Sequence, residues 1–589
     1  MASRRTIRTL FGVALAAAAN AAAAEPALWD ASYRVTFGVD DRGVPEARVE
    51  STLTWADVKK PVPAAVEVGM AEDGLPGGYG SFLRDFTPRA QVLSTPGGRF
   101  LVPVPAGGVV QLRYRVMLEH DPTNWGPGPD EAPYRFDGGA FWSGRALFVT
   151  ADRSSVEVTF SHPAGQRIAA SYEPVPGRVG TFRASSESRL RNAFLVVGRF
   201  DLAELQVGDA RVVLVLGRDL AGSMPVVTGA VRHFLDASEK IFHGAPPSRI
   251  LVVANLGAPV GSMHGGVFGS DISVLVHEPP TSANASWWRP FLCHEIFHLW
   301  NGTAIDFPAG QQYWFTEGVT EYESQLLPVR LREVPANEFL RTMSVKAGRY
   351  LDAAGAIGLV RAGDEKFLNN ALVYDGGALA AMALDVTIRS RTSNRKSLDD
   401  LLHALYDRAR ARKGRGLALE DVESAAVKLG GSGIREFFRR YVRGDETLPL
   451  EAMLRLAGLD LKVEHLELPE TDAILGYLLR CPSVTVVGAG LQVNFSVSAT
   501  IRSGDLITGV NGAPVRTFDE LRSAFEHRRG GSRVKLSVVR DGGPAELDVL
   551  LPGQYDTPIE HSRMTRVSIT AAADASPAAV AIRKALLGP

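Results

Sequence analysis

The sequence predicts a multidomain α+β protein, with a β-sandwich-like N-terminal domain (25–203), a mixed sheet plus helical domain (204–460) and a small β-rich unit (467–553) before a C-terminal tail (554–589). Three observations predict it. At 589 residues the chain exceeds what one hydrophobic core organises. The first third alternates apolar and polar residues with the period of half-buried strands. From Pro290 to about 445 the apolar positions recur at helical spacing instead.

Residues 1–24 stand apart from the fold. Arg4, Arg5 and Arg8 precede an Ala-rich apolar stretch that ends in small residues. This order reads as a secretory signal cleaved near Ala24, which places the mature chain in the periplasm or outside the cell. Export permits disulfides, but the only cysteines, Cys293 and Cys481, are far apart and fall in different units. Both read as buried hydrophobes rather than a bridge.

In the N-terminal domain, Leu112, Tyr114, Val116 and Leu118 alternate with Arg113 and Arg115, and Val156, Val158 and Phe160 repeat the period. After residue 204 the short apolar runs Val212–Leu216, Ile250–Ala254 and Ile272–Val276 read as buried strands. A helix-spaced set from Val227 to Phe242 lies between the first two. Pro290 suits the first turn of a helix, and Ser397 with Asp400 suits a helix start. The unit at 467–553 carries turn signals at Ser503-Gly504-Asp505 and Asn511-Gly512, a helical stretch at 518–527 and a strand at Val534–Val539. Residues 554–589 read as an irregular Ala-rich tail.

Composition excludes some functions. Hydrophobic residues make up 45%, charged residues 22%, and the formal charge is −1. That balance gives no electrostatic basis for a nucleic-acid partner. No internal run of about 18 apolar residues stands out, so no transmembrane segment is expected.

The chemistry concentrates in His294-Glu295-Ile296-Phe297-His298. On a helix, positions i and i+4 share a face, so both imidazoles reach one ion. Glu295 lies about 100° round the helix from His294, where a carboxylate can take a proton from an attacking water. Two ligands make a poor zinc site, and Glu317 supplies a third after a gap of eighteen residues. Glu321, one turn further on, can accept a hydrogen bond from a ligand imidazole. The set implies one Zn2+ per chain and hydrolysis of a peptide or protein substrate.

The segments HEIFHLWNG (294–302), WFTEGVTEYES (314–324), VYDGGALAAMALDVTIR (373–389) and SLDDLLHALY (397–406) resemble the glycyl aminopeptidase family. These zinc peptidases are relatives of the thermolysin-like gluzincins and carry a PDZ domain. The resemblance implies a thermolysin-like catalytic domain at 204–460 and a PDZ-like domain at 467–553. It implies that His294, His298 and Glu317 bind zinc, that Glu295 is the general base, and that Tyr374 is a catalytic tyrosine donating to the oxyanion. It further implies a peptide-holding loop at Leu475-Gly476-Tyr477, with a peptide C-terminus as ligand.

Two positions depart from the family. Its Gly-Gly-apolar-Glu-His segment is here Gly265-Gly266-Val267-Phe268-Gly269, with Phe268 where a glutamate would anchor a substrate's amine. A cation–π contact is the most a phenyl ring offers an ammonium. Gly265 and Gly266 are expected either to let the backbone approach a substrate, with strand 272–276 pairing an extended peptide, or to form a plain turn. Gly376 replaces the family's lysine after the tyrosine. The leading expectation is a zinc metallopeptidase, an aminopeptidase with altered N-terminal recognition. The alternatives are an endopeptidase or a non-catalytic scaffold that captures peptides through the PDZ-like unit.

Overall fold

The computed structural model describes residues 30–588 except 56–60, 71–78, 89, 95–97, 120–132, 259–262, 309–311, 367–368, 468–483, 488–489, 494–500, 502–503, 518–519, 522–523, 525–532 and 551–562. The proposed signal, the loop Leu475–Tyr477, Cys481 and most of 518–527 therefore lie outside the described residues.

Alternation in the N-terminal third becomes sheet. A seven-stranded sheet is centred on Ala31–Val39 and Pro45–Thr54, with a four-stranded sheet and a three-stranded sheet beside it. Strand Val109–Met117 buries Leu112, Tyr114 and Val116 and turns Arg113 and Arg115 outward, as its period requires. In the four-stranded sheet, Trp142 and Leu195 face the N-terminal core. Their neighbours Phe141 and Phe194 face the next domain, against Val215, Val253 and Phe268.

That domain opens with a five-stranded sheet in the order Asp201–Val207, Ala210–Leu216, Arg249–Leu256, Asp271–Val276, Met263–Phe268. The first strand runs across residue 203. Helix Met224–Phe242 makes the crossover between two parallel strands. The strand at 271–276 is paired on both sides, antiparallel to 263–268 and parallel to 249–256. It therefore has no edge for an added peptide. The edge strand is Met263–Phe268, which contains Gly265 and Gly266, so these glycines form neither a plain turn nor a loop.

Helices follow. The first, the metal helix, runs Ala285–Phe297 and places Pro290 in its interior rather than at its first turn. Ser397 and Asp400 do begin a helix, with the Asp400 carboxylate accepting from the Ser397 N–H at 2.9 Å. Among the described residues one helix, Ala371–Arg391, is long and apolar enough to cross a membrane, with a mean hydropathy of 1.4. Its most apolar window is 83% buried inside the fold, as a central core helix. The window holds the buried Asp375 and Asp385, so it is not an unbroken apolar run.

The small C-terminal unit is a β-sheet around Leu491, Val493, Ile507, Leu536 and Val538. Asn511 (φ 49°) and Gly512 (φ 82°) make a tight turn between Leu506–Val510 and Ala513–Pro514. The stretch after it is not an irregular tail. Arg563–Ala571 pairs antiparallel with Leu459–Glu467 along its full length, and Pro577–Leu587 is a helix. Val567, Ile569, Ile582 and Leu586 all join the core of the central domain. The β unit is therefore an insertion between two strands of a ribbon that belongs to the central domain.

Candidate metal centre

The metal helix buries Trp288, Leu292, Cys293, Ile296 and Phe297. Cys293 is free. This apolar surface fixes the helix and leaves His294 and His298 facing a shared point. Their Nε2 atoms lie 3.0 Å apart, and Glu317 Oε2 lies 3.5 Å from His294 Nε2 and 3.4 Å from His298 Nε2. Zinc with bonds of about 2.0–2.1 Å separates tetrahedral ligands by about 3.3 Å. The three atoms thus fit zinc in both chemistry and spacing, and they form the one such His/Cys/Asp/Glu group among the described residues.

Each ligand has its own holder. Glu321 Oε2 sits 3.0 Å from His294 Nδ1, as its spacing from Glu317 predicts. The backbone carbonyl of Asn301 accepts from His298 Nδ1 at 2.8 Å. These bonds leave both Nε2 atoms facing the point that an ion would occupy. Lys366 Nζ lies 2.7 Å from Glu317 Oε1, so the outer carboxylate oxygen is engaged and the inner one points to the histidines. The Lys366 ammonium also lies 4.8 Å from the ring centre of Tyr313 and 5.7 Å from that of Tyr374.

Glycines bring these elements together. A Cβ on Gly318 would stand 2.4 Å from Gly377 Cα, so helices Gly318–Arg330 and Gly377–Arg391 cross backbone to backbone. The contact sets Glu317 beside Tyr374. Tyr374 lies on a π-helical turn, Ala371–Gly376, and the Glu317 carboxylate acts on its phenol to raise its pKa. Its ring stacks 6.3 Å from that of His294. Gly376 has a packing reason: a Cβ there would meet Tyr350 at 2.8 Å and Leu359 at 3.0 Å, which leaves no room for a lysine. Gly265 touches Glu295, whose carboxylate occupies the space a Cβ would need, 2.6 Å away. Gly266 lies opposite Ser273 in the register.

Phe268 is not at the metal cluster. It is buried between the two sheets, stacks on Phe194 at 4.8 Å, and carries the Arg145 guanidinium 3.8 Å over its ring. Its face is therefore taken by the chain's own cation, which rules out the cation–π contact with a substrate amine.

Charge in the site follows burial and neighbours. Burial opposes a charged His294, but hydrogen bonds to Glu317 and Glu321 outweigh it and push its pKa up to about 10 in the metal-free state. For Glu317 burial works upward, yet Lys366 and the two histidines hold it well below the usual carboxylate range. Burial raises Glu295, only partly offset by the histidines, which moves it towards the range of a useful base. Burial, with Glu317 and Glu295 adding to it, keeps Tyr374 protonated far above neutral pH.

Sequence reasoning missed four residues of the site. Asn301 is fully buried, and its side-chain amide donates to Phe315 O, Thr316 O and Thr320 Oγ1, tying the end of the metal helix to the Glu317 segment. It stands inside the segment HEIFHLWNG, directly after the motif. Lys346, Lys366 and Asp375 come from other segments and leave no local spacing signal.

Comparison with known proteins agrees with the architecture. Residues 469–551 match the PDZ domain family. The fold is similar to that of an aminopeptidase N family protein from Idiomarina loihiensis, with a TM-score of 0.68 at 17% identity over 95% of this chain and 100% of that one. An M1 zinc metallopeptidase from Deinococcus radiodurans aligns at 17% identity and a TM-score of 0.47, over 72% of this chain and 94% of that one. The periplasmic pH-dependent serine endoprotease DegQ of Escherichia coli K12 is 43% identical over 56 residues. That match spans 10% of this chain and only 12% of the relative's length. The chain therefore combines a fold similar to that of the Idiomarina loihiensis protein with a PDZ-like domain.

Proposed function

We propose that this chain is a zinc metallopeptidase that hydrolyses peptide bonds. The observation that carries the reading is the ligand triangle His294, His298 and Glu317, spaced for zinc with Glu295 and Tyr374 beside it. When bound, zinc supplies a Lewis acid that polarises the scissile carbonyl and acidifies water. Glu295 takes the proton of the attacking water and passes it to the leaving amine. Tyr374, protonated throughout the neutral range, donates to the developing oxyanion. Edge strand 263–268, in contact with Glu295, receives an extended substrate as an added strand.

The resemblance to glycyl aminopeptidases favours cleavage next to a peptide N-terminus. The buried, covered ring of Phe268 supports a substrate end read by other groups than that family's glutamate. Residues 1–24 support work outside the cytoplasm, and the PDZ-like domain supports capture of a peptide C-terminus.

The test is Glu295→Gln against wild type, with zinc content and peptide-library cleavage measured together. The variant keeps about one zinc per chain and loses hydrolysis. Wild-type turnover in the variant would overturn the assignment. Libraries with free and acetylated N-termini separate exopeptidase from endopeptidase action. A folded, zinc-loaded wild type that cleaves neither library would favour the peptide-capturing scaffold.

A further inference from the structure

Helix Ala336–Ala353 contributes no metal ligand, yet it reaches both halves of the site. Its Lys346 is only 7% exposed. The ammonium lies 2.8 Å from Glu321 Oε1 and 3.0 Å from Asp375 Oδ1. The other oxygen of Glu321 holds His294 Nδ1. Asp375, fully buried, directly follows Tyr374 and also accepts from Arg349 at 2.7 and 2.8 Å. A continuous run of charge-assisted hydrogen bonds therefore links His294, Glu321, Lys346, Asp375 and Arg349.

Burying an ammonium is strongly unfavourable unless carboxylates surround it. Here one carboxylate comes from the ligand helix and the other from the tyrosine turn, so the cation fixes the distance between them. A lysine serving packing alone has no need of a partner from each side.

The helix is itself held from behind. Ile569 N–H donates to Ser344 Oγ at 2.9 Å, and Thr565 N–H donates to Asp352 at 3.1 Å. A Cβ on Gly348 would stand 2.4 Å from Thr565 O, so helix and strand are in backbone contact. The strand is Arg563–Ala571, the return strand of the ribbon that carries the inserted β unit.

We infer that Lys346 is a positioning residue that couples the metal ligand His294 to the phenol of Tyr374, with the strand Arg563–Ala571 bracing the helix that carries it. The catalytic half of this inference rests on the peptidase reading. The metal-affinity half does not.

The experiment uses the full chain. Lys346→Met, Lys346→Arg and Asp375→Asn are each made in the wild-type and Tyr374→Phe backgrounds. Zinc affinity is read by chelator competition, kcat and KM by peptide cleavage, and folding by thermal unfolding. Lys346→Met weakens zinc binding about 10–100-fold, as loss of a ligand's support does. It also lowers kcat with KM little changed, and Lys346→Arg recovers most of both losses. The kcat loss shrinks in the Tyr374→Phe background, because the phenol being positioned is already gone. Equal kcat losses in both backgrounds, or unchanged zinc affinity in a folded Lys346→Met, would overturn the inference. If Lys346→Met does not fold, Asp375→Asn decides: it lowers kcat strongly beside Tyr374 and little beside Phe, and equal losses refute the coupling. If wild type cleaves no peptide, the peptidase reading fails, and the zinc arm with Lys346→Met and Lys346→Arg still decides the link to His294.

Discussion

Replacing Gly265 with alanine should separate catalysis from metal binding. The new Cβ would fall 2.6 Å from the Glu295 carboxylate, where 3.4 Å is ordinary contact. The carboxylate must therefore retreat by about 0.8 Å. Glu295 Cγ also stands 2.8 Å away, so the buried side chain must shift as a whole, and the unfolding free energy should fall by about 1–2 kcal/mol. The three atoms nearest the new Cβ all belong to Glu295, so zinc affinity should hold. A displacement approaching 1 Å at a catalytic group costs about 10²-fold in rate. Steady-state peptide hydrolysis, zinc titration and denaturant unfolding on the same preparation check all three expectations. A kcat within about twofold of wild type would refute the claim that the strand seats Glu295 for proton transfer. A large fall in zinc affinity would show that the substitution acts on the ligands instead.

Other consequences follow from the same geometry. Glu321→Gln should weaken zinc binding about 10–100-fold by removing the charge behind His294, as chelator competition would show. In the metal-free protein the His294 pKa is raised from 6.5 to about 10, so zinc binding near neutral pH displaces a proton. Zinc affinity should rise about tenfold per pH unit there, with calorimetry in buffers of different ionisation heat detecting about one proton released. The same shift stabilises the metal-free fold fully below about pH 6.5, and that contribution is lost as pH rises through about 10. Phe268→Glu should not create a preference for free amines, and should cost roughly 3 kcal/mol in denaturant unfolding, because it breaks the stack on Phe194. Removing residues 563–589 should abolish folding of the central domain, read as loss of the cooperative melt, because Val567, Ile569, Ile582 and Leu586 are part of its core.

The metal cluster was legible because its chemistry is local. His294 and His298 are set by helical spacing, and Glu317 and Glu321 repeat that spacing on the next helix. The sheet strands at 212–216 and 250–254 were legible because buried parallel strands are continuous apolar runs. What escaped was non-local or masked by composition. The edge strand Met263–Phe268 contains Gly265 and Gly266, whose composition left a substrate-facing backbone and a plain turn both open until pairing with Asp271–Val276 is known. Nothing local marks Phe268 as facing the N-terminal domain. Its place follows from strand alternation, which sets Gly265 towards Glu295 and Phe268 towards Phe194. Pro290 misled because a proline reads as a helix start, whereas buried side chains around it hold an interior proline here. The C-terminal helix did carry a signal: Ser576 caps Pro577–Leu587 by accepting from Ala579 N–H at 3.2 Å, with proline in the first turn. Its Ala-rich composition hid that pattern. The partner of strand 563–571 lies about a hundred residues earlier in the chain, across the inserted unit, beyond any local rule.

X-ray absorption at the zinc edge on purified protein tests the central claim most directly. Two imidazole nitrogens and a carboxylate oxygen at about 2.0–2.2 Å, with both imidazoles lost in a His294→Ala/His298→Ala double variant, are the predicted result. A sulfur scatterer at about 2.3 Å, or a zinc environment unchanged by that double substitution, would contradict it.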